Sequence, residues 1–197
     1  MNGELLVTIV YYFILYCSLS MLAVPVMFFM LWTFTGFFKK HIPLFYVMIV
    51  VLFGGAMAGF YFTTHSWIYL YYPFPAWVQI IGLLLFVMGF VVIKIAELTI
   101  SRIVRAFYPM LKGEKFHLKT TGIYKYLRHP IYAVIPWIVL GSLLYTGQLI
   151  LLIPLILNLL TRTWFAKKEE AYTKDKVIGD YDAYMKKTPN RFYPKFF

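Results

Sequence analysis

The chain has 197 residues, of which 61% are hydrophobic, 21% aromatic and only 14% charged, a balance outside that of soluble globular domains. Several uncharged runs approach the roughly 20 residues that cross a bilayer, so the composition specifies an integral membrane protein. The formal charge of +11 does not make it a nucleic-acid binder: no Lys or Arg precedes Lys39, none lies between Lys40 and Lys94, and 16 of the 19 follow Ser101, as positive cytoplasmic loops produce. This basic face is expected to meet anionic lipid headgroups or an anionic cofactor. The single cysteine, Cys17, rules out a disulfide framework and any thiolate or zinc spacing, so no metal is expected. The first 30 residues lack the charged start and cleavage site of a removable leader, leaving the first helix to direct insertion.

Leu5 to Phe38 runs 34 residues without Lys, Arg, Asp or Glu. It predicts one tilted span at about Tyr11 to Phe34, kinked at Pro25, with "KKH" at 39–41 marking a cytoplasmic end. A second span is expected from about Leu44 to Phe62, then an uncharged aromatic loop at the far interface, "TTHSWIYLYYPFPA". Gly55 and Gly59 in the second span have the small-xxx-small spacing of close helix packing. The third span, about Trp77 to Ala96, returns to the basic side, where Lys94 and Glu97 share a helix face and either pair or leave Lys94 to snorkel. Leu98 to His129 is expected to be cytosolic or interfacial. The apolar run resumes at Ile131 and is broken only by "YTGQ" at 145–148 before Phe165, which predicts a tight transmembrane hairpin. The fold class is therefore all-α, a polytopic membrane helix bundle of about five transmembrane helices with the N-terminus outside and the C-terminus cytosolic.

Polar chemistry gathers where these helices meet the basic side. Pro130 fixes its own φ and pushes His129 toward an extended conformation, so the fourth span starts there and places Arg128 and His129 at a helix N-terminus, a favourable place for an anion. Tyr132 follows within one turn. Lys125, Tyr126 and Arg128 taken singly are interfacial anchors. Beyond the fifth span, Arg162, Phe165 and Glu169 fall on one helical stripe, while Glu170 belongs to an ordinary solvated face. An antiparallel hairpin brings Glu169 opposite His129.

"TTGIYKYLRHPIY" resembles the G-x-Y-x-x-x-R-H-P-x-Y signature of the isoprenylcysteine carboxyl methyltransferase and phospholipid N-methyltransferase superfamily, and the downstream "EE", paired tyrosines and "RFYP" resemble its C-terminal signature. The likeness covers about residues 115 to 194. It implies N-terminal spans over 1–97, a methyltransferase-like region over 98–197 with a cytosolic cap, and S-adenosyl-L-methionine as cofactor. The cofactor contacts it implies are His117, Leu118, Lys119, Tyr124, Arg128, His129, Pro130, Ile131, Tyr132 and Glu169, with Glu169 and His129 as the catalytic pair. Glu169 is preferred to Glu170 because it lies twelve residues before Tyr181, the spacing of the signature. Tyr181, Tyr184, Arg191 and Pro194 would form the cap. Three departures stand out: Ile178-Gly179 replaces a Phe-Gly and is displaced by one residue, Asn190 is an apparent insertion, and Phe165 stands where prenylcysteine methyltransferases carry a substrate-holding arginine. Arg162, one turn earlier, is the candidate replacement, so Arg162 and Phe165 are the expected substrate contacts.

The implied reaction is methyl transfer to a lipophilic acceptor at the cytosolic interface: a prenylcysteine carboxylate, a phospholipid amine or another lipid-like molecule, with membrane lipids as partners. The rival readings are a nicotinamide-dependent sterol-type reductase, since such enzymes carry a similar hairpin and an "RHP"-like motif, and a non-catalytic membrane protein that keeps the fold.

Overall fold

The computed structural model describes residues 3–65, 70–100 and 111–193. Within them the apolar runs have become helices. Helices α1 (Gly3–Ser20) and α2 (Ala23–Thr33) form one apolar column, α3 (Thr35–Lys40) turns the chain, and α4 (Ile42–His65) and α5 (Ala76–Ile100) follow. A tight turn at Gly122–Lys125 leads into α6 (Pro130–Thr146), and another at Leu149–Leu151 leads into α7 (Leu152–Lys176). Strands β1 (Phe116–His117) and β2 (Val177–Ile178) pair in parallel, and α8 (Tyr181–Lys187) comes after them. Pro194 and Arg102 to Met110, part of the expected cytosolic segment, lie outside the described residues.

The chain is a membrane protein with an all-helical bundle. Three segments, Gly3–Thr33, Ala76–Ile100 and Leu149–Lys176, are long and apolar enough to cross a bilayer, and Ile42–Ala56 and Pro130–Thr146 are shorter apolar helices. The expected apolar helices are all present, three of them at full crossing length. Exposed apolar side chains such as Val7, Phe13, Val50, Ile80, Met88 and Leu160 cover the outside of the bundle, as lipid contact requires.

The first column differs from expectation at both ends. It begins at Gly3 rather than near Tyr11, and it breaks at Met21 and Leu22 rather than at Pro25. The reason is the proline itself, which donates no N–H and clashes with the carbonyl four residues earlier. That carbonyl belongs to Met21, and the Asn158 side chain of α7 donates to it at 3.2 Å. A polar residue inside an apolar helix thus satisfies the backbone group that Pro25 leaves unpaired.

Close packing also falls elsewhere than expected. A Cβ placed on Gly55 or Gly59 would meet nothing within 4 Å, so the small residues of α4 face open space. The intimate contact is between α5 and α6. A Cβ on Gly82 would sit 2.6 Å from the carbonyl oxygen of Gly141, and a Cβ on Gly141 would sit 2.5 Å from that of Gly82. Ser18 of α1 and Ser142 of α6 share a buried hydrogen bond beside this seam. At the same end the turn after α6 follows the "YTGQ" signal: α6 stops at Thr146 and Gly147 takes φ 70°. The Gly147 carbonyl accepts from Tyr72 N at 2.9 Å, and Leu149 N donates to the Leu70 carbonyl at 2.8 Å. Lys94 and Glu97 do pair, at 3.4 Å on an exposed face.

Candidate active site

His129 caps α6 with φ −129° and ψ 64°, and Pro130 occupies the first helical position, as a proline at that place dictates. The residues that lead into the start of the helix are paired with the tail. Arg128 N donates to the Asn190 carbonyl at 3.0 Å and His129 N to the Arg191 carbonyl at 2.9 Å. The tail after α8 therefore lies against the entry to α6 like an added strand. Of the first-turn amides, those of Ile131 and Tyr132 are the ones without an acceptor inside the helix. Asn190, an apparent insertion in the sequence, supplies one of the carbonyls that seat the tail.

The largest correction concerns the adjacent glutamates. Glu170 is 7% exposed, not on a solvated face. Its carboxylate receives Arg128 Nε at 2.9 Å, Arg191 Nη2 at 2.8 Å and Arg191 Nε at 3.0 Å, and it faces His129 Nε2 at 3.2 Å. Arg128 also donates through Nη1 to the Thr188 carbonyl at 2.6 Å. Arg128 is thus a buried tie between α6, α7 and the tail rather than an interfacial anchor. This multiple, partly bidentate ligation is the geometry in which a buried carboxylate offsets its desolvation.

Glu169 has the opposite character. Its side chain is 43% exposed, and Oε2 stands 3.7 Å from His129 Nδ1. His129, 6% exposed, therefore has one ring nitrogen toward each glutamate, and its ring stacks on Tyr132 at 5.5 Å and 17°. The tyrosines nearby are held in the protonated form. Burial, then Glu169 and Tyr184, push the Tyr124 phenol well up; burial, then Glu170 and Glu169, do the same at Tyr181. Tyr184 is pushed up to about 12, chiefly by burial, and donates to the Tyr124 carbonyl at 2.7 Å. Near neutrality these groups are hydrogen-bond donors and not bases.

The remaining expected residues divide. Tyr124, Arg128, His129, Tyr132 and Glu169 come together, and Pro130 and Ile131 open the helix that carries them. His117, Leu118 and Lys119 lie on and after β1, tied through Leu118 N and the Ile178 carbonyl at 3.5 Å to β2, which follows α7. Phe165 is 3% exposed and packs on Phe28 at 5.3 Å, an apolar role. Arg162 donates to the Tyr193 hydroxyl at 2.7 Å and lies over the Phe192 ring at 4.9 Å, so it engages the tail and not the place of Phe165. The sequence reading missed Glu170, Thr188 and Phe192. A signal for Glu170 existed: two arginines, 128 and 191, flanking one acidic pair call for a buried carboxylate between them.

A family model described as phospholipid methyltransferase matches residues 77–177, the stretch from α5 through α6 and α7 that carries His129 and both glutamates. The chain belongs to the phospholipid methyltransferase family. No curated protein and no solved structure matches it. This phospholipid methyltransferase family member is a membrane methyltransferase whose matched region stops at Val177, before α8 and Arg191. The tail that closes the Glu170 cluster, like helices α1 to α4, lies beyond the matched stretch.

Proposed function

We propose that the protein is an S-adenosyl-L-methionine-dependent methyltransferase acting on a lipophilic acceptor, with its basic end on the cytosolic side of the membrane and its N-terminus outside. The observation that carries this reading is the pairing of His129 with a half-exposed carboxylate, Glu169, where the apolar helices emerge. Polar cofactor and apolar acceptor have only such an interface in common. The nicotinamide-dependent and non-catalytic readings receive no comparable support.

The donor set suits the cofactor. Glu169 accepts hydrogen bonds, as an ammonium or ribose hydroxyl requires, while Tyr124 and Tyr132 offer hydroxyl donors and aromatic faces that favour a cation. Bound there, the cofactor would supply a methyl group already activated on a sulfonium. The residues have the tasks of alignment and exclusion of water. Glu170 is engaged by Arg128, Arg191 and His129, so it positions His129 and takes no proton. For an amine acceptor, His129 or Glu169 would remove the proton; a carboxylate acceptor would need no base.

The test is calorimetric titration of the detergent-purified protein with S-adenosylhomocysteine. Binding by the wild type, together with at least tenfold weaker binding by Glu169→Ala and His129→Ala, is the expected result. Equal affinity in all three proteins would remove these residues from the cofactor site.

A further inference from the structure

The bonds around Glu170 fix the place of a proton on the neighbouring imidazole. Arginine is permanently cationic, so a carboxylate that receives Arg128 Nε at 2.9 Å and Arg191 Nε and Nη2 at 3.0 and 2.8 Å is an acceptor alone. Glu170 Oε1 also stands 3.2 Å from His129 Nε2. A bare lone pair on Nε2 would be repelled by that oxygen, so Nε2 carries the hydrogen. The other ring nitrogen, Nδ1, lies 3.7 Å from Glu169 Oε2, beyond hydrogen-bond distance. No acceptor there demands a second hydrogen.

Arg191 governs this arrangement in two ways. It reaches both oxygens of Glu170, with Nε 3.0 Å from Oε1 and Nη2 2.8 Å from Oε2, whereas Arg128 Nε bonds Oε1 alone. The two-point grip sets the plane of the carboxylate and keeps Oε1 turned toward the imidazole. It also balances charge. His129 is faced by Arg128 and Tyr132 from α6, by Glu169 and Glu170 from α7, and by Arg191 from the tail, with Tyr124 and Tyr181 beside the glutamates. The arginines offset the glutamates, and a neutral imidazole completes the cluster. With Arg191 removed, the carboxylates outweigh the remaining cation and draw a proton onto Nδ1.

We infer that Arg191 is a positioning residue: acting through Glu170, it holds the His129 hydrogen on Nε2 and keeps Nδ1, on the Glu169 side, as the nitrogen able to accept a hydrogen bond or a proton from a bound molecule. The inference rests on the methyltransferase reading above and narrows it from the imidazole to one atom. It gives the tail, which lies beyond the stretch matched to the family, a part in the chemistry as well as in stability.

The experiment is nitrogen-15 NMR of the full chain in detergent micelles, labelled at histidine, at about pH 8, above the ordinary histidine range. His129→Gln identifies the His129 signals among those of the four histidines. In the wild type, bare Nδ1 is expected to exceed protonated Nδ1 at least about tenfold, the worth of one hydrogen bond to a charged group. Arg191→Ala is expected to lower that ratio several-fold, and Arg191→Lys, which keeps the charge without the two-point grip, to give an intermediate value. A proton on Nδ1 in the wild type overturns the inference outright. Wild-type signals in Arg191→Ala, or in Arg191→Lys should the alanine variant not fold, overturn the role of Arg191 and leave it a structural tie. Titration with S-adenosylhomocysteine is expected to shift Nδ1 more than Nε2; binding that moves neither overturns Nδ1 as the available nitrogen. Absence of binding overturns the cofactor reading, while the ligand-free spectra still decide where the proton sits and whether Arg191 holds it there.

Discussion

The two ends of α6 are held by different physics. At its far end the helix lies against α5 through Gly82 and Gly141, with backbone touching backbone, and against α1 through Ser18 and Ser142. Nothing there is charged. At its first turn, Arg128 and His129 join Arg191 around one buried carboxylate, Glu170. The far end is secured by the absence of side chains, which fits neighbours in hydrocarbon, where apolar burial gives no preference for protein over lipid. The near end is secured by an ionic cluster that works only when every partner is in place. One end is therefore tuned for shape and the other for chemistry.

Breaking the ionic end should have the largest effect. Glu170→Ala leaves two arginines uncompensated and is expected to cost about 3–5 kcal/mol, read as a fall in the unfolding midpoint and as proteolytic release of the tail. Overpacking the other end comes next: Gly82→Ala pushes a methyl group into the Gly141 carbonyl and should cost about 1–3 kcal/mol, with no change in protease sensitivity of the tail. Gly55→Ala makes the control, because its Cβ meets open space; it is expected to be neutral or to stabilise by up to about 1 kcal/mol. The same measurement on all three variants decides whether the two ends differ as described.

A smaller effect sharpens the contrast through pH. The Tyr184 phenol, raised from 10.0 to about 12 mainly by burial, is a donor to the Tyr124 carbonyl. The folded state holds this proton more tightly than the unfolded chain does. Its contribution is therefore fully present below pH 10 and is lost as pH rises through about 12. Tyr184→Phe should cost about 1 kcal/mol at neutral pH and flatten the alkaline part of the stability profile, while the α5–α6 seam responds to neither change.

Much of this architecture was legible in the sequence. Charge-free runs located the helices, Pro130 located the start of α6, and "YTGQ" located the turn, because each depends on local backbone chemistry. The approach of His129 and Glu169, at 3.7 Å, followed from folding two adjacent helices antiparallel. The roles of the neighbouring glutamates were not legible. Successive residues on a helix point about 100° apart, so a spacing argument finds the right turn without telling which carboxylate faces inward. The glycines misled for a related reason: spacing marks a surface capable of close approach, but only the partner helix decides where approach occurs. At the first column the proline signal was correct and its location was displaced by four residues, since the clash falls on Met21 rather than on Pro25 itself.

The bonds from Arg128 and His129 to the carbonyls of Asn190 and Arg191 also set an order of events during biosynthesis. Translation runs from the N-terminus, so the residues of every apolar helix are synthesised before Arg191 is made. A chain truncated before residue 190 would carry all of those helices and lack the clasp. Such a chain is expected to insert into the bilayer with the Glu170 cluster left open, so the candidate site would be completed as a separate step, when the tail closes.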